Sequence, residues 1–406
     1  MNRDLMIEVT KLVGNKKVAK EAIKFFLEAA KKDDKVRGWK VAIAVVVAVL
    51  NFSALAVAAS APAVSDTAWN KTLAAAKKEG RVSILGPEGI RARDALTLPF
   101  QKKYPEIEVD LQGMDAAKIG PKLLPELAAG RNSTDLVIAG TTTMLVSLLP
   151  ANALVPVKPF LSGPNTQDQS KWLGGRLKFA DNAGTYNLVF SQYVKPPFVY
   201  NTKQLSGADF KSWRDLLDPK WQGKIEMKDP RMAGGGLANA TMWYVTESLG
   251  KDFIRKFLTQ KDLMIMRDDG QMLDFCAQGK YQISVGVGDV PANEYINKGL
   301  PLKHLSPESL KEGTYVTAGN GSMAIPRNVP HPNALRVYVD FLLSQEGQLA
   351  WSKAAAFASL RRDVPRDHVQ NILVPKEGVS YLELSSEKYV LMKDEIAAFI
   401  RTILPR

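Results

Sequence analysis

The stretch Ala233-Gly-Gly-Gly-Leu237 stands where a strand gives way to a helix. Glycines there let backbone N–H groups approach an anion at the positive end of the helix dipole. Gly234 and Gly235 are the candidate binding positions, although the same residues also serve a turn that needs positive φ. The Gly-Lys-Ser/Thr ending of a nucleotide loop is missing. Arg231 just upstream and Arg361 far downstream offer guanidinium forks for a carboxylate or phosphate. Thr141 and Thr142, with Thr143, follow an apolar run at the carboxyl end of an expected strand, where open α/β sheets bind ligands. Their hydroxyls serve equally as caps for the next helix. Glu88 has the same placement after the run ending at Leu85, and Tyr200, beside Asn201, is positioned to pack on a ligand. Asp289, with the pair Asp268 and Asp269, would instead suit a cationic solute such as a polyamine.

Other chemistries lack their residues. The three histidines, His304, His331 and His368, have no second histidine or cysteine three or four positions away, so no zinc motif forms. Neither a Gly-x-Ser-x-Gly elbow, nor HExxH, nor Gly-x-Gly-x-x-Gly occurs. The single Cys276 allows no intramolecular disulfide and no thiolate cluster, and no lipoprotein cysteine follows the leader described below. The residues therefore read as a binding protein with no catalytic residue, no metal ligand and no cofactor. A secreted or membrane-tethered enzyme would have to be built on Glu88, Asp268 and Asp269.

The elements that must position these residues alternate between strand and helix. Asp66 caps a helix through Trp69, Leu73 and Ala76 that stops at Gly80. Strands are expected at 81–86, 106–111 and 135–139, and helices at 92–103 and 122–129. Residues 188–200 read as extended because Pro196 and Pro197 interrupt them. A second unit starts near Trp213, with strands at 223–227 and 282–287 and helices at 237–249, 251–258 and 271–277. An extended piece at 322–325 leads to a helix opened by His331-Pro332, where the missing proline N–H is no loss. This alternation predicts an α/β fold with a largely parallel sheet.

Composition, at 46% hydrophobic and 24% charged, fits a soluble globular chain long enough for two domains. The formal charge is +12, of which residues 1–58 supply +5 from eleven Lys or Arg against six Asp or Glu. The rest is interleaved with acids and forms no basic tract, so nucleic acid is not an expected partner. Residues 41–59 are an apolar run behind Arg37 and Lys40 and before small-residue triplets, the three parts of a secretory signal. Its length also approaches the roughly 20 residues of a membrane-spanning helix. Export with cleavage between Val57 and Val64, or anchoring by residues 41–59, are the two outcomes. Residues 1–37 form a charged helical extension, or else translation starts near Val36.

Four segments occur in a telling order: Phe198-Val-Tyr-Asn-Thr202, then Trp213 to Arg231 with its Asp-Pro-Lys-Trp-Gln-Gly-Lys-Ile core, then His331 to Gln348, then Ser359-Leu-Arg-Arg-Asp-Val364. In this order they resemble the type II periplasmic solute-binding proteins of ABC importers, of the ferric-ion-binding kind. The resemblance implies a two-lobed fold with a ligand cleft between the lobes, a membrane permease as partner and a monomer. It divides the chain into an extension at 1–37, a signal or anchor at 38–63, a first lobe at 79–192 plus 316–365, and a second at 193–315 plus 366–406. The adjacent tyrosines that hold iron in that family have no counterpart in Ser284 to Ala292, and no carboxylate stands near Gly140. The expected ligand is therefore a small anionic solute, with ferric ion or a polyamine as the alternative.

Overall fold

A computed structural model describes residues 66–376 and 381–404. Its first sheet runs in the order β2 (Glu108–Gly113), β1 (Arg81–Gly86), β3 (Leu136–Ala139), β14 (Ser322–Pro326), β6 (Leu188–Val189), β5 (Lys178–Phe179), with β4 (Leu154–Val155) paired to β14. β1 is parallel to β2 and β3, as expected of strands joined by helices, while β14 returns antiparallel to β3. All four residues of β3 are buried, so the run Leu136-Val-Ile-Ala139 reads as continuous apolar rather than alternating. Helices α1 (Asp66–Glu79), α2 (Ile90–Lys103) and α3 (Ala116–Ala128) complete the strand–helix repeats. The third begins at Ala116, six residues earlier than the expected start at 122. Asp115 accepts from the Ala117 N–H at 2.8 Å and starts the helix, which then runs through Pro121 and Pro125.

The second sheet runs β10 (Met264–Met266), β9 (Ile225–Lys228), β11 (Ile283–Val285), β8 (Phe198–Asn201), β12 (Leu302–His304). Its three leading strands are parallel, and β8 runs antiparallel to both of its neighbours, β11 and β12. It carries α4 (Gly235–Val245), α5 (Gly250–Leu258), α6 (Asp269–Gln278) and α7 (Asp289–Asn297). Each sheet has its own apolar core. The second is dominated by aromatic rings, with Trp243 edge-on to Trp213, Phe253 and Phe257. The two lobes are joined through a small three-stranded sheet, β15 (Leu382–Glu383), β13 (Tyr315–Thr317) and β7 (Tyr193–Val194).

The segment opened by His331-Pro332 shows why that sequence starts a helix. Helix α8 (Pro332–Leu342) receives a side-chain cap from elsewhere in the chain: Glu79, at the end of α1, accepts from the N–H groups of Asn333 and Ala334 at 2.9 and 2.7 Å. The buried Asp135 accepts from the His331 N–H and sits 2.8 Å from its Nδ1. Helix α9 (Gln345–Ala355) follows, and Gly347 lets it turn back against α8: a Cβ there would lie 2.2 Å from the Phe341 carbonyl oxygen. The chain ends in α10 (Glu387–Leu391) and α11 (Lys393–Ile403). Val390 of α10 joins the first core, whereas Ile396, Ala397 and Ile400 of α11 join the second. No helix among the described residues is long and apolar enough to cross a membrane, and the run 41–59 lies outside them.

Candidate functional site

The carboxyl ends of β1, β2 and β3 open onto a cavity of about 350 Å³ in the first lobe, lined by Glu88, Met114, Asp115, Ala139 and Asn320 among others. Glu88 is exposed there. Gly140 comes close to the turn between β13 and β14, since a Cβ on it would lie 3.2 Å from the Gly319 carbonyl oxygen. Thr141 is buried and Thr142 partly exposed, and they lead into a single π-helical turn, Thr143–Leu148. The Thr142 Oγ1 atom accepts from the ammonium of Lys393, at the start of α11, at 3.0 Å.

On the second lobe the ends of β9, β10 and β11 bring together charges far apart in sequence. Arg231 grips Asp229 with Nε and Nη2 at 2.8 and 2.9 Å, and its Nη1 lies 3.4 Å from the Leu404 carbonyl oxygen. Arg267 donates at 3.2 Å to Oδ2 of the same carboxylate, the oxygen that also accepts from Arg231 Nη2, while its side chain stays 69% exposed. Burial works to raise the Asp229 carboxyl, but the bonds from the two arginines outweigh it and hold it down at about 2. One carboxylate thus faces two guanidinium groups. Asp268 caps α6 by accepting from the Gln271 N–H at 2.7 Å, and Asp269 pairs with Lys228 at 2.7 Å.

The glycine turn has a double character. Gly234 has φ 143° with open space around it, so only glycine suits the backbone there. Gly235 and Gly236 are packing residues: a Cβ on the first would lie 2.1 Å from the Gly286 carbonyl oxygen, and on the second 2.1 Å from that of Lys228. They seat the positive end of α4 against the ends of β9 and β11.

At the hinge, Tyr193 of β7 stacks on Phe357 with ring centroids 3.8 Å apart. Burial, then the nearby Asp289 carboxylate, pushes its hydroxyl well above the usual tyrosine range. Lys195 donates to Asp289 and to the Val287 carbonyl oxygen, both at 2.7 Å. Sequence alone missed Tyr193, Lys195, Arg267 and Lys393. A run of apolar residues conceals the first two, and nothing local marks the others.

Several expected ligand contacts have other occupations. Asp289 is turned onto Lys195, with both side chains under 8% exposed. Tyr200 lies within the second sheet rather than at the crossover, and its hydroxyl would sit 3.0 Å from a Cβ on Gly207. Arg361 is buried in the first lobe, donating to Asp363 at 2.7 Å and to the Leu343 carbonyl oxygen at 2.8 Å. Arg361→Ala should therefore lower stability by about 2–3 kcal/mol, through the carbonyl it leaves unpaired, and leave solute affinity unchanged. Urea unfolding and calorimetric binding on the same protein check both.

A larger cavity, about 830 Å³, lies on the second lobe beside the edge strand β12, against Tyr200, Lys303, Arg366 and Lys376. Size alone does not make it the solute site. The strand carboxyl ends, where α/β sheets present helix N-termini and loops, are at the other location. Among the described residues no group of three or more His, Cys, Asp or Glu is placed to hold a metal ion.

A family model described as bacterial extracellular solute-binding protein matches residues 95–372. A candidate 2-aminoethylphosphonate-binding periplasmic protein of Salmonella typhimurium is 27% identical over 201 residues, covering 48% of this chain and 58% of that protein. The chain spans about half the length of the curated relatives it matches. Among solved structures, FutA (IdiA) of Trichodesmium with iron and citrate has a TM-score of 0.60 at 16% identity, covering 80% of this chain and 99% of that one. AfuA of Actinobacillus pleuropneumoniae with exogenous fructose-6-phosphate has a TM-score of 0.57 at 19% identity, with the same coverage. These likenesses show the two-lobed periplasmic-binding-protein fold.

Proposed function

The chain belongs to the bacterial extracellular solute-binding proteins, and from that premise we propose that it captures a small anion-bearing solute and delivers it to the permease of an ABC importer. The observation that carries the anionic preference is the pair of guanidinium groups, Arg231 and Arg267, on the single carboxylate of Asp229. The trio of Arg231, Arg267 and Asp229 thus carries one positive charge in surplus beside the N-terminus of α4, with Arg267 open to solvent. The acids that would serve a polyamine support the same preference, because Asp269 and Asp289 are paired with lysines and Asp268 caps a helix. A phosphonate for the Salmonella relative and a sugar phosphate in AfuA are both phosphorus oxyanions. The FutA structure is a complex with iron and citrate, a carboxylate anion as well as a metal.

The mechanism is closure about the strands that join the lobes, without turnover. The first lobe is assigned to 79–192 plus 316–365 and the second to 193–315 plus 366–406, although Val390 of α10 packs on the first core. Glu88, Thr141 and Thr142 then meet the Gly234 turn and Arg231 across the cleft, with Arg267 added to the set. The protein works as a monomer outside the cytoplasm, exported through the run 41–59.

Thermal unfolding with inorganic phosphate, 2-aminoethylphosphonate, fructose-6-phosphate and ferric citrate tests this reading. A phosphorus oxyanion at about 100 times its Kd should stabilise the protein by about 2.7 kcal/mol, because it binds the folded state alone. Arg267→Ala should weaken that ligand about tenfold or more. Tight uptake of ferric ion with a tyrosinate colour, and no response to any oxyanion, would overturn the proposal.

A further inference from the structure

We infer that Lys393, carried by the C-terminal helix rather than by either ligand-facing sheet, contacts the solute directly and pairs with its anionic group at the Thr141–Thr143 turn. This rests on the anionic reading above. The placement comes first: Lys393 reaches from α11 to the Thr142 hydroxyl at 3.0 Å, one turn beyond the carboxyl end of β3. An ammonium has three donors, and the hydroxyl takes one. Among the described residues, no carboxylate forms an ion pair with it.

The charged groups of the elements around Lys393 are occupied, exposed to solvent or absent. On its own helix, Glu395 accepts from the Tyr244 hydroxyl at 2.6 Å, and Asp394 is exposed. On α10, Glu387 accepts from the Asn182 N–H at 2.6 Å, and Lys388 is a like charge. The turn Thr143–Leu148 packed against α10, and α4 packed against α11, carry no ionisable carboxylate or amine. Burial alone pushes the Lys393 ammonium down to about 8. The side chain still keeps partial access to solvent, so an ammonium held there without a counter-ion is open to an anion arriving at its remaining donors.

The geometry also gives the contact a mechanical consequence. α11 is bound to the second core by Ile396, Ala397 and Ile400, while its first residue touches the first lobe. A solute anion held by Lys393 and the threonine turn therefore ties both lobes together. The opposite end of α11 lies at Arg231, through Leu404, so about 16 Å of helix separates the two cationic ends. The C-terminal helix thus spans the site from one cation to the other.

A structural staple between α11 and Thr142 would explain the same contact, and it predicts different results. The experiment is isothermal titration with sulfate, whose charge is constant over the range used, and with inorganic phosphate, at about pH 7 and about pH 9.5. Wild type should bind sulfate about tenfold more weakly at the higher pH, as Lys393 loses its proton. Lys393→Met should bind about tenfold more weakly at the lower pH and lose that pH dependence, while Lys393→Arg, charged at both, should keep its affinity at the higher one. A Lys393→Met protein with a lowered melting temperature but wild-type affinity and pH profile overturns the inference and leaves the anionic reading standing. Should Lys393→Met fail to fold, a Lys393→Arg protein that loses affinity with pH as wild type does overturns the inference equally. Wild type that binds neither anion at either pH overturns both together.

Discussion

Asp289→Ala is expected to lower stability by about 3–5 kcal/mol, the usual result of stripping one partner from a buried ion pair. Asp289 is 3% exposed and Lys195 7%, with 2.7 Å between their charged atoms. The ammonium left behind would retain the Val287 carbonyl oxygen and nothing charged. The consequence is local to the hinge, because Lys195 follows β7 and Asp289 opens α7 of the second lobe. Urea unfolding measures the loss. The double replacement Lys195→Met with Asp289→Leu should recover most of it, since removing both charges removes the desolvation cost with them. A single-variant loss below about 1 kcal/mol would mean that water reaches the pair and the burial argument fails.

Glu226→Gln should stabilise the protein increasingly as pH rises from about 4.5 to about 8. Glu226 lies fully buried on the inner strand β9, accepting from the Ser284 hydroxyl at 2.5 Å, while its second oxygen has no partner. Burial, only partly offset by Ser284, pushes its carboxyl up to about 8. The folded state therefore keeps a proton that the unfolded chain gives up near 4.5, and stability from this group is lost as pH climbs between the two values. By about pH 7 the loss is on the order of 3 kcal/mol, at about 1.4 kcal/mol per unit. His304 acts in the opposite sense over part of this range. Burial holds it down at about 4, so the unfolded chain binds the extra proton there and stability rises with pH. Only the difference between wild type and Glu226→Gln isolates the glutamate. Parallel urea curves at about pH 5 and about pH 7.5 provide it, and a difference that stays constant with pH would show the carboxyl to be ionised throughout.

The sequence alone determined what depends on neighbours along the chain. The buried run 136–139, the helix stop at Gly279 with φ 81°, and the proline-opened helix at 332 are local facts of burial pattern and backbone conformation. Their order, with the segments around Trp213 and His331, carried the two-lobed α/β architecture. Even here a remote residue completed the local signal, since Glu79 caps a helix that starts more than 250 positions later.

What the tertiary structure decided is the partner of each charge. Arg361 has the composition of a ligand fork, yet it closes on Asp363 and a helix carbonyl inside the first lobe. Asp289 has the composition of an acid for a cationic solute, yet Lys195, 94 residues away, meets it where the lobes join. Lys393 looks like one more surface lysine of an amphipathic helix, and the threonine it reaches is 251 residues earlier. Periodicity reports which face of an element is buried, because burial repeats with the helix or strand. A charge has no such period. Its role depends on which opposite group the folded chain brings within about 4 Å and on how much water remains between them, and both are set by the path of the whole chain.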